Sequence, residues 1–372
     1  MEFKILRRDD SSSARLGEIS TPHGRVMTPC FMPVGTAGAV KTMSPRELRE
    51  VGAQVLLSNT YHLLLRPGME IIKEAGGLHA FMSWDGPILT DSGGYQVFSL
   101  AERRKVTEGG VHFRSHIDGS AYFLGPEEVI RSQETLGADL ITVLDECTPY
   151  PCEHEQVRRS LETTLGWERK CRELHGESDS GLFGIVQGGV YEELRKQAVE
   201  ALVEMGFDGY AIGGLSVGEP ISQMYDITEF TASLLPEEKP RYLMGVGRPI
   251  DLVECVARGI DMFDCVLPTR NARNGKAFTP NGTINVRSAR YKKDFTPIQP
   301  DCDCYACRHF SLAYIRHLLT VDEMLALRLL TTHNLRFYLR VMKRLRDAIA
   351  EGKLGELRKD FATRRAPASD SQ

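Results

Sequence analysis

Short apolar runs alternate with longer amphipathic stretches along most of this chain, and that rhythm decides the fold class. The runs are Thr28–Val34, Val55–Ser58, Ile88–Thr90, Leu140–Leu144, Phe183–Val186, Tyr210–Ile212, Arg241–Met244 and Met262–Val266. Each is too short for a helix and apolar without alternation, the pattern of a strand buried on both faces. Between most of them lie segments with apolar residues at helical spacing, among them Glu155–Leu174, Tyr191–Met205, Ile221–Leu234 and Pro249–Arg258. Strand and helix thus alternate through eight units. This predicts an α/β fold, a closed (β/α)8 TIM barrel rather than an open doubly wound sheet.

The rhythm is different at the start and is interrupted twice. Phe3–Leu6, Ala14–Ile19 and Arg25–Phe31 alternate apolar with polar around the turn signal Thr21-Pro22-His23-Gly24, predicting an N-terminal antiparallel sheet over residues 1–27. Val106–Leu124 reads as an inserted hairpin turning at Asp118-Gly119. Ala277–Phe278 and Thr283–Val286 flank Asn281-Gly282 as a second hairpin, which leads to Arg287, Arg290, Lys292 and Lys293 and then to a cysteine cluster. From Asn334 to Ile349, Leu335, Tyr338, Leu339, Met342, Leu345 and Ile349 form a helical stripe, with Arg336, Arg340, Lys343 and Arg344 largely off it. The expected division is one barrel domain over residues 1–361. It includes a hairpin and cysteine subdomain near 277–335, and residues 362–372 form a disordered tail.

Composition narrows the setting. With 372 residues and 42% hydrophobic content the chain can bury one large core, and a formal charge of −4 gives no global attraction to nucleic acid. RNA binding would need local basic patches. Nine cysteines, scattered apart from one cluster, argue for reduced thiols and a cytoplasmic protein rather than a disulfide framework. The N-terminus has no apolar signal region and no run of about 18 apolar residues occurs, so neither secretion nor a membrane span is expected.

Candidate chemistry follows from the barrel. Behind the third strand comes Asp91-Ser92-Gly-Gly-Tyr95-Gln, behind the fourth Asp145-Glu-Cys147, behind the fifth Gln187-Gly-Gly, and behind the sixth Gly213-Gly214-Leu215-Ser-Val217-Gly-Glu219. The seventh ends at Met244-Gly-Val-Gly and the eighth carries Asp264. In a barrel these strand ends share one rim, so carboxylates, an amide and glycine backbones converge on one pocket. Singly, a Gly-Gly pair only turns the chain and a strand-end Asp only caps a helix; their coincidence favours function. After Asp264 the apolar run stops at Pro268, and a loop with Thr269, Arg270, Arg273 and Lys276 follows, a basic surface suited to a polyanion.

Cys302-Asp-Cys304-Tyr-Ala-Cys307 puts three thiols within six residues, and His333 follows on a helical stretch. Three thiolates and one imidazole complete a closed tetrahedral site, which implies one structural Zn2+ per subunit. His309 and His317 are rival fourth ligands on this evidence.

Together, the motifs Asp91-Ser-Gly-Gly-Tyr-Gln-Val-Phe-Ser, Gly184-Ile-Val-Gln-Gly-Gly, Ala211-Ile-Gly-Gly-Leu-Ser-Val-Gly-Glu, Tyr242-Leu-Met-Gly-Val-Gly, Asp261-Met-Phe-Asp-Cys-Val-Leu-Pro-Thr-Arg and the Cys302, Cys304, Cys307, His333 set resemble the bacterial tRNA-guanine transglycosylases, or queuine tRNA-ribosyltransferases. The resemblance runs from about Arg15 to Phe361. It implies a zinc-containing (β/α)8 barrel, a homodimer, that exchanges the wobble guanine of GUN-anticodon tRNAs (the Asp, Asn, His and Tyr acceptors) for the 7-deazaguanine preQ1 in queuosine biosynthesis. By the same resemblance Asp264 is the nucleophile toward the ribose and Asp91 the general acid/base. Arg270 and Arg273 favour the Asp264 charge and hold the anticodon loop, with Thr269 and Lys276 beside them. Tyr95 and Met244 would stack on the purine. Asp145, Gln187 and Gly214, supported by Ser92 and Gly213, would read its edge. Leu215 and Glu219 would bind an aminomethyl group, and Cys147 with Val217 would leave little room for more. The rival readings are an archaeal-type relative that inserts preQ0 in the tRNA D-arm, a non-catalytic RNA-binding subunit of the same fold, and a small-molecule barrel glycosidase. The first is disfavoured because the chain ends soon after the cysteine unit.

Overall fold

A computed structural model describes residues 1–100, 104–176 and 178–363. Eight fully or largely buried strands form its centre: β1 (Cys30–Met32), β2 (Leu56–Asn59), β3 (Ile88–Asp91), β4 (Leu140–Thr142), β5 (Gly181–Val186), β6 (Gly209–Ile212), β7 (Arg241–Leu243) and β8 (Met262–Asp264). All pair in parallel, in the spatial order β1-β8-β7-β6-β5-β4-β3-β2. The remaining seam, between β1 and β2, is bridged where Leu57 donates its N–H to the Pro33 carbonyl at 3.0 Å and Gly35 donates to the Leu57 carbonyl at 2.6 Å. The ring is the expected barrel.

Helices cover it. α1 (Gly94–Leu100) follows β3 and buries Gly94 and Val97, and α2 (His154–His175), α3 (Glu192–Met205), α4 (Ile221–Leu234) and α5 (Pro249–Ala257) follow β4 to β7, each burying one face. A short helix, α6 (Leu267–Arg273), follows β8 where the sequence predicted a loop: Pro268, in its first turn, needs no N–H donor and favours a helix start. The long helix α7 (Met324–Glu351) begins ten residues before the expected stripe. Its early part buries Thr331, Thr332, His333 and Asn334, whose polarity hides the helical period.

The N-terminal sheet pairs Glu2–Arg8, Arg15–Thr21 and Gly24–Thr28 antiparallel. The third expected strand splits. Pairing stops at Thr28, Pro29 has no N–H to continue it, and Cys30–Met32 joins the barrel instead. Arg15 fastens the sheet to the barrel floor, donating from Nε and Nη2 to the two oxygens of Asp261 at 2.9 and 2.6 Å with both side chains buried.

The insertion after β3 is a three-stranded sheet (Arg104–Thr107, Gly110–Arg114, Ala121–Leu124) rather than one hairpin. The Asp118-Gly119 turn joins its last two strands, and a further turn at Glu108-Gly109 joins the first two. Gly110 has a φ of +146°, and a Cβ there would meet the Leu124 carbonyl at 2.5 Å, so only glycine fits. The second hairpin is Lys276–Thr279 with Gly282–Asn285. It leads into a separate apolar cluster that includes Ala277, Tyr291, Ile298, Ile315 and Leu330. A final helix, Leu354–Thr363, covers residues 362 and 363 of the expected tail; 364–372 lie outside the described residues.

Candidate active site and metal centre

The carboxyl ends of the strands meet on one rim, as the barrel requires. Asp91 is the last residue of β3 and is buried. Its Oδ1 accepts the Thr60 N–H at 3.0 Å, and its Oδ2 accepts from Asn59 Nδ2 at 2.5 Å and Gln96 Nε2 at 3.0 Å. Burial, with a smaller push from the charge of Asp264, raises its pKa from 3.8 to about 6 against those donors. Asp145, also buried, accepts from Gln187 Nε2 at 2.6 Å, and burial together with the charge of Asp91 raises it to about 6. Asp264 ends β8. Its Oδ1 receives two donors, Tyr242 O–H at 2.6 Å and Gly245 N–H at 2.9 Å, while no other described residue donates to Oδ2. Burial raises this carboxyl too, and Tyr242 and Gly245 oppose the rise. These two donors, rather than Arg270 or Arg273, are what favours the charged form.

The other rim residues divide. Ser92 is buried and its hydroxyl accepts the Gly94 N–H at 3.2 Å. The Gln187 amide nitrogen is turned onto Asp145 and its Oε1 is buried without a partner. Gly213 and Gly214 pass directly over that amide: a Cβ on Gly214, at φ +67°, would stand 2.4 Å from Gln187 Oε1. Leu215 is buried, and Val217, Met244 and Cys147 are half-buried. Burial pushes the Cys147 thiol up to about 12, so it stays protonated. Tyr95 stands 55% exposed on α1. Glu219 is committed to its own loop, accepting the Ser216 and Val217 N–H groups on its two oxygens. It braces the loop instead of reaching into open space.

Among the basic residues, Arg270 and Lys276 are exposed and Arg273 is half-buried. Thr269 is buried with its hydroxyl donated to the Val266 carbonyl at 3.2 Å, which steadies α6.

Cys302, Cys304, Cys307 and His333 form one buried group whose ligand atoms lie within 4.8 Å of one another. His333 Nε2 is engaged with the Phe278 carbonyl at 2.8 Å, which leaves Nδ1 facing the sulfurs, 3.8 Å from Cys304 Sγ and 3.2 Å from Cys307 Sγ. A tetrahedral ion bound to sulfur and nitrogen holds such atoms roughly 3.5 Å apart, so the residues fit a metal ion with no open position. His309 and His317 are exposed and stand outside the group.

Comparison with known proteins gives the family. The family model for queuine tRNA-ribosyltransferase matches residues 9–367. The chain belongs to that family. It is an enzyme of the tRNA-guanine transglycosylase class. It is 58% identical over 361 residues to the queuine tRNA-ribosyltransferase of Pelotomaculum thermopropionicum, covering 97% of this chain and 98% of the relative. It is 57% identical to that of Halothermothrix orenii over 97% of both chains, and 57% identical to that of Symbiobacterium thermophilum over 98% of this chain and 91% of the relative.

Several residues that shape this candidate site escaped the sequence reading. Asn59, Thr60, Gln96, Tyr242 and Gly245 supply the donors that hold Asp91 and Asp264. Asn59 ends β2, so the rule that strand ends form the rim could have found it. Asn334 could not be found that way. Its Nδ2 donates to the Pro268 and Lys276 carbonyls, both at 3.0 Å, and its Oδ1 accepts from Phe278 N at 2.9 Å, tying both ends of the basic segment to the helix that carries His333.

Metal analysis of the purified protein should find about one ion per chain. Retention of the ion by a Cys304→Ser, His333→Ala double variant would contradict the ligand set. The raised carboxyls predict a pH-dependent stability. Between about pH 4 and pH 6 the native Asp145 keeps a proton that the unfolded chain has lost, so its unfavourable contribution grows as pH rises through that window and is complete above it. Asp145→Asn should therefore stabilise the fold by about 1–3 kcal/mol in denaturant titrations at pH 8 and by nothing below pH 4. A variant less stable than the parent at pH 8 would overturn this account of Asp145.

Proposed function

We propose that this transglycosylase removes the wobble guanine of GUN-anticodon tRNAs, those for Asp, Asn, His and Tyr, and installs preQ1 in its place through a covalent bond between Asp264 and the ribose. The observation that carries the reading is the asymmetry of that carboxylate, with two donors on Oδ1 and Oδ2 left open. The open oxygen bonds to C1′ as the C1′–N9 bond breaks, the electron pair leaves with the purine, and Asp91 gives it a proton. The incoming base returns its N9 proton to Asp91 and displaces Asp264 from C1′. Two displacements replace one difficult step, and a carboxyl with a pKa near 6 is suited to both proton transfers. The target base must first leave the stack of the anticodon loop, with Arg270, Arg273 and Lys276 on the phosphates.

Asp145, Gln187 and the Gly214 N–H read the purine edge, and Tyr95 with Met244 holds its plane. Adenine presents the reverse pattern and would leave these buried groups unpaired. The Ser216 N–H is held by Glu219, and in a trans peptide the Leu215 carbonyl then points the opposite way, away from Glu219. That carbonyl is an acceptor for an aminomethyl group, and Val217 with Cys147 limits bulkier substituents, which favours preQ1 over queuine. The metal is Zn2+, matched by its three thiolates and imidazole, and its role is structural. Tyr305, Phe310 and Tyr314 form a chain of ring contacts at 5.5 Å whose two tyrosines are exposed, a surface that suits a second copy of the chain in a cytoplasmic homodimer.

The decisive assay offers radiolabelled guanine and a GUN-anticodon tRNA. Label should enter the wobble position, preQ1 should chase it out, queuine should not, and Asp264→Asn should abolish exchange. Incorporation of preQ0 into the D-arm would favour the archaeal-type reading, and tRNA binding without exchange the non-catalytic one. Light scattering should give twice the chain mass; a monomer mass at assay concentration would remove the dimer.

A further inference from the structure

Arg195 stands out among the charged residues of the barrel. It is fully buried in the first turn of α3, yet no carboxylate pairs with it among the described residues. Arg15, also deeply buried, places Nε and Nη2 on Asp261, and the buried Arg241, whose Nη2 donates to the Leu235 carbonyl, feels the charge of that same aspartate. Arg195 has only carbonyls: Nε donates to Gly189 O at 2.9 Å and Nη1 to Val186 O at 2.7 Å, while Nη2 is buried without a partner. A buried unpaired cation is costly, and at a helix N-terminus the backbone dipole disfavours it further. Its neighbours show where the charge is felt. A Cβ on Gly214 would stand 3.6 Å from Arg195 Nη2 and 2.4 Å from Gln187 Oε1, and the carboxylate that acts on its charge, without pairing with it, is Glu219.

The two carbonyls that Arg195 holds belong to Val186 and Gly189, on either side of Gln187. The guanidinium therefore clamps the turn that presents Gln187 and stands behind both Gln187 and Gly214. If the purine carbonyl edge lies on those two groups, Arg195 is one layer behind it. From this arrangement we propose that Arg195 is a positioning residue for base exchange: acting through Gln187 and Gly214, its uncompensated charge stabilises the negative charge that the purine gains when the C1′–N9 bond breaks. The inference rests on the proposed base-exchange reading. The bond changes are those given there: the electron pair of C1′–N9 moves onto the purine, Asp91 supplies the neutralising proton, and Arg195 neither gives nor takes one. A charge placed where the transition state becomes anionic acts on the chemical step more than on ground-state binding.

The test compares wild type, Arg195→Met and Arg195→Lys in single-turnover formation of the covalent tRNA adduct, alongside tRNA affinity and melting temperature. Arg195→Met, similar in length but uncharged, should form the adduct roughly tenfold to a hundredfold more slowly while binding tRNA as tightly as the parent. Arg195→Lys keeps the charge and should recover most of that rate. The inference is overturned if a folded Arg195→Met forms the adduct at the parental rate, or if a folded Arg195→Lys is as slow as Arg195→Met. Should the methionine variant not fold, the lysine variant alone decides: a rate within a few-fold of wild type supports the proposal, and a hundredfold loss overturns it. Failure of the wild type to form any adduct would instead sink the base-exchange reading.

Discussion

The barrel rim holds its carboxylates largely out of water, Asp264 the least, without neutralising them. None of Asp91, Asp145, Asp264 and Glu219 makes an ion pair among the described residues; their hydrogen bonds come from Asn59, Gln96, Gln187 and Tyr242 and from the N–H groups of Thr60, Gly245, Ser216 and Val217. A cationic partner would have fixed each acid firmly in its charged form. Neutral donors hold the geometry and leave Asp91 and Asp145 with pKa values near 6, where protons can move. The donors come from several strand ends, so only a closed barrel brings them together.

The metal unit joins this arrangement through two consecutive residues of α7. His333 turns one ring nitrogen to the thiols and the other to the Phe278 carbonyl, while Asn334 binds the carbonyls of Pro268 and Lys276. The basic helix after Asp264 is thus fastened to the same helix that carries a metal ligand. Loss of a bound ion would loosen that basic helix without altering the carboxylates themselves.

The sequence exposed the barrel clearly because each strand is an uninterrupted apolar run with a polar or glycine-rich end, and the Cys302–Cys307 cluster is compact enough to name its own chemistry. It was less clear where polarity is buried. Thr331 to Asn334 broke the helical period of α7, and the Glu108-Gly109 turn split an expected hairpin into two. The hydroxyl bond of Thr269 to Val266 leaves no trace in the composition of the basic segment. Roles that depend on a side chain's direction, such as Glu219 bracing its own loop or Tyr242 reaching Asp264, leave no mark in spacing or composition. Arg195 is the extreme case, since one arginine in an amphipathic helix reads as a solvated charge and is here completely buried.

The central claim is that the open oxygen of Asp264 becomes bonded to the nucleoside sugar. Acid quenching of the enzyme with a GUN-anticodon tRNA in the absence of an incoming base, followed by digestion and mass spectrometry, locates that bond directly. The account predicts a ribosylated peptide containing Asp264 and no other modified acid. Ribose carried on Asp91 or Asp145, or base exchange proceeding with no modified peptide at all, would contradict it.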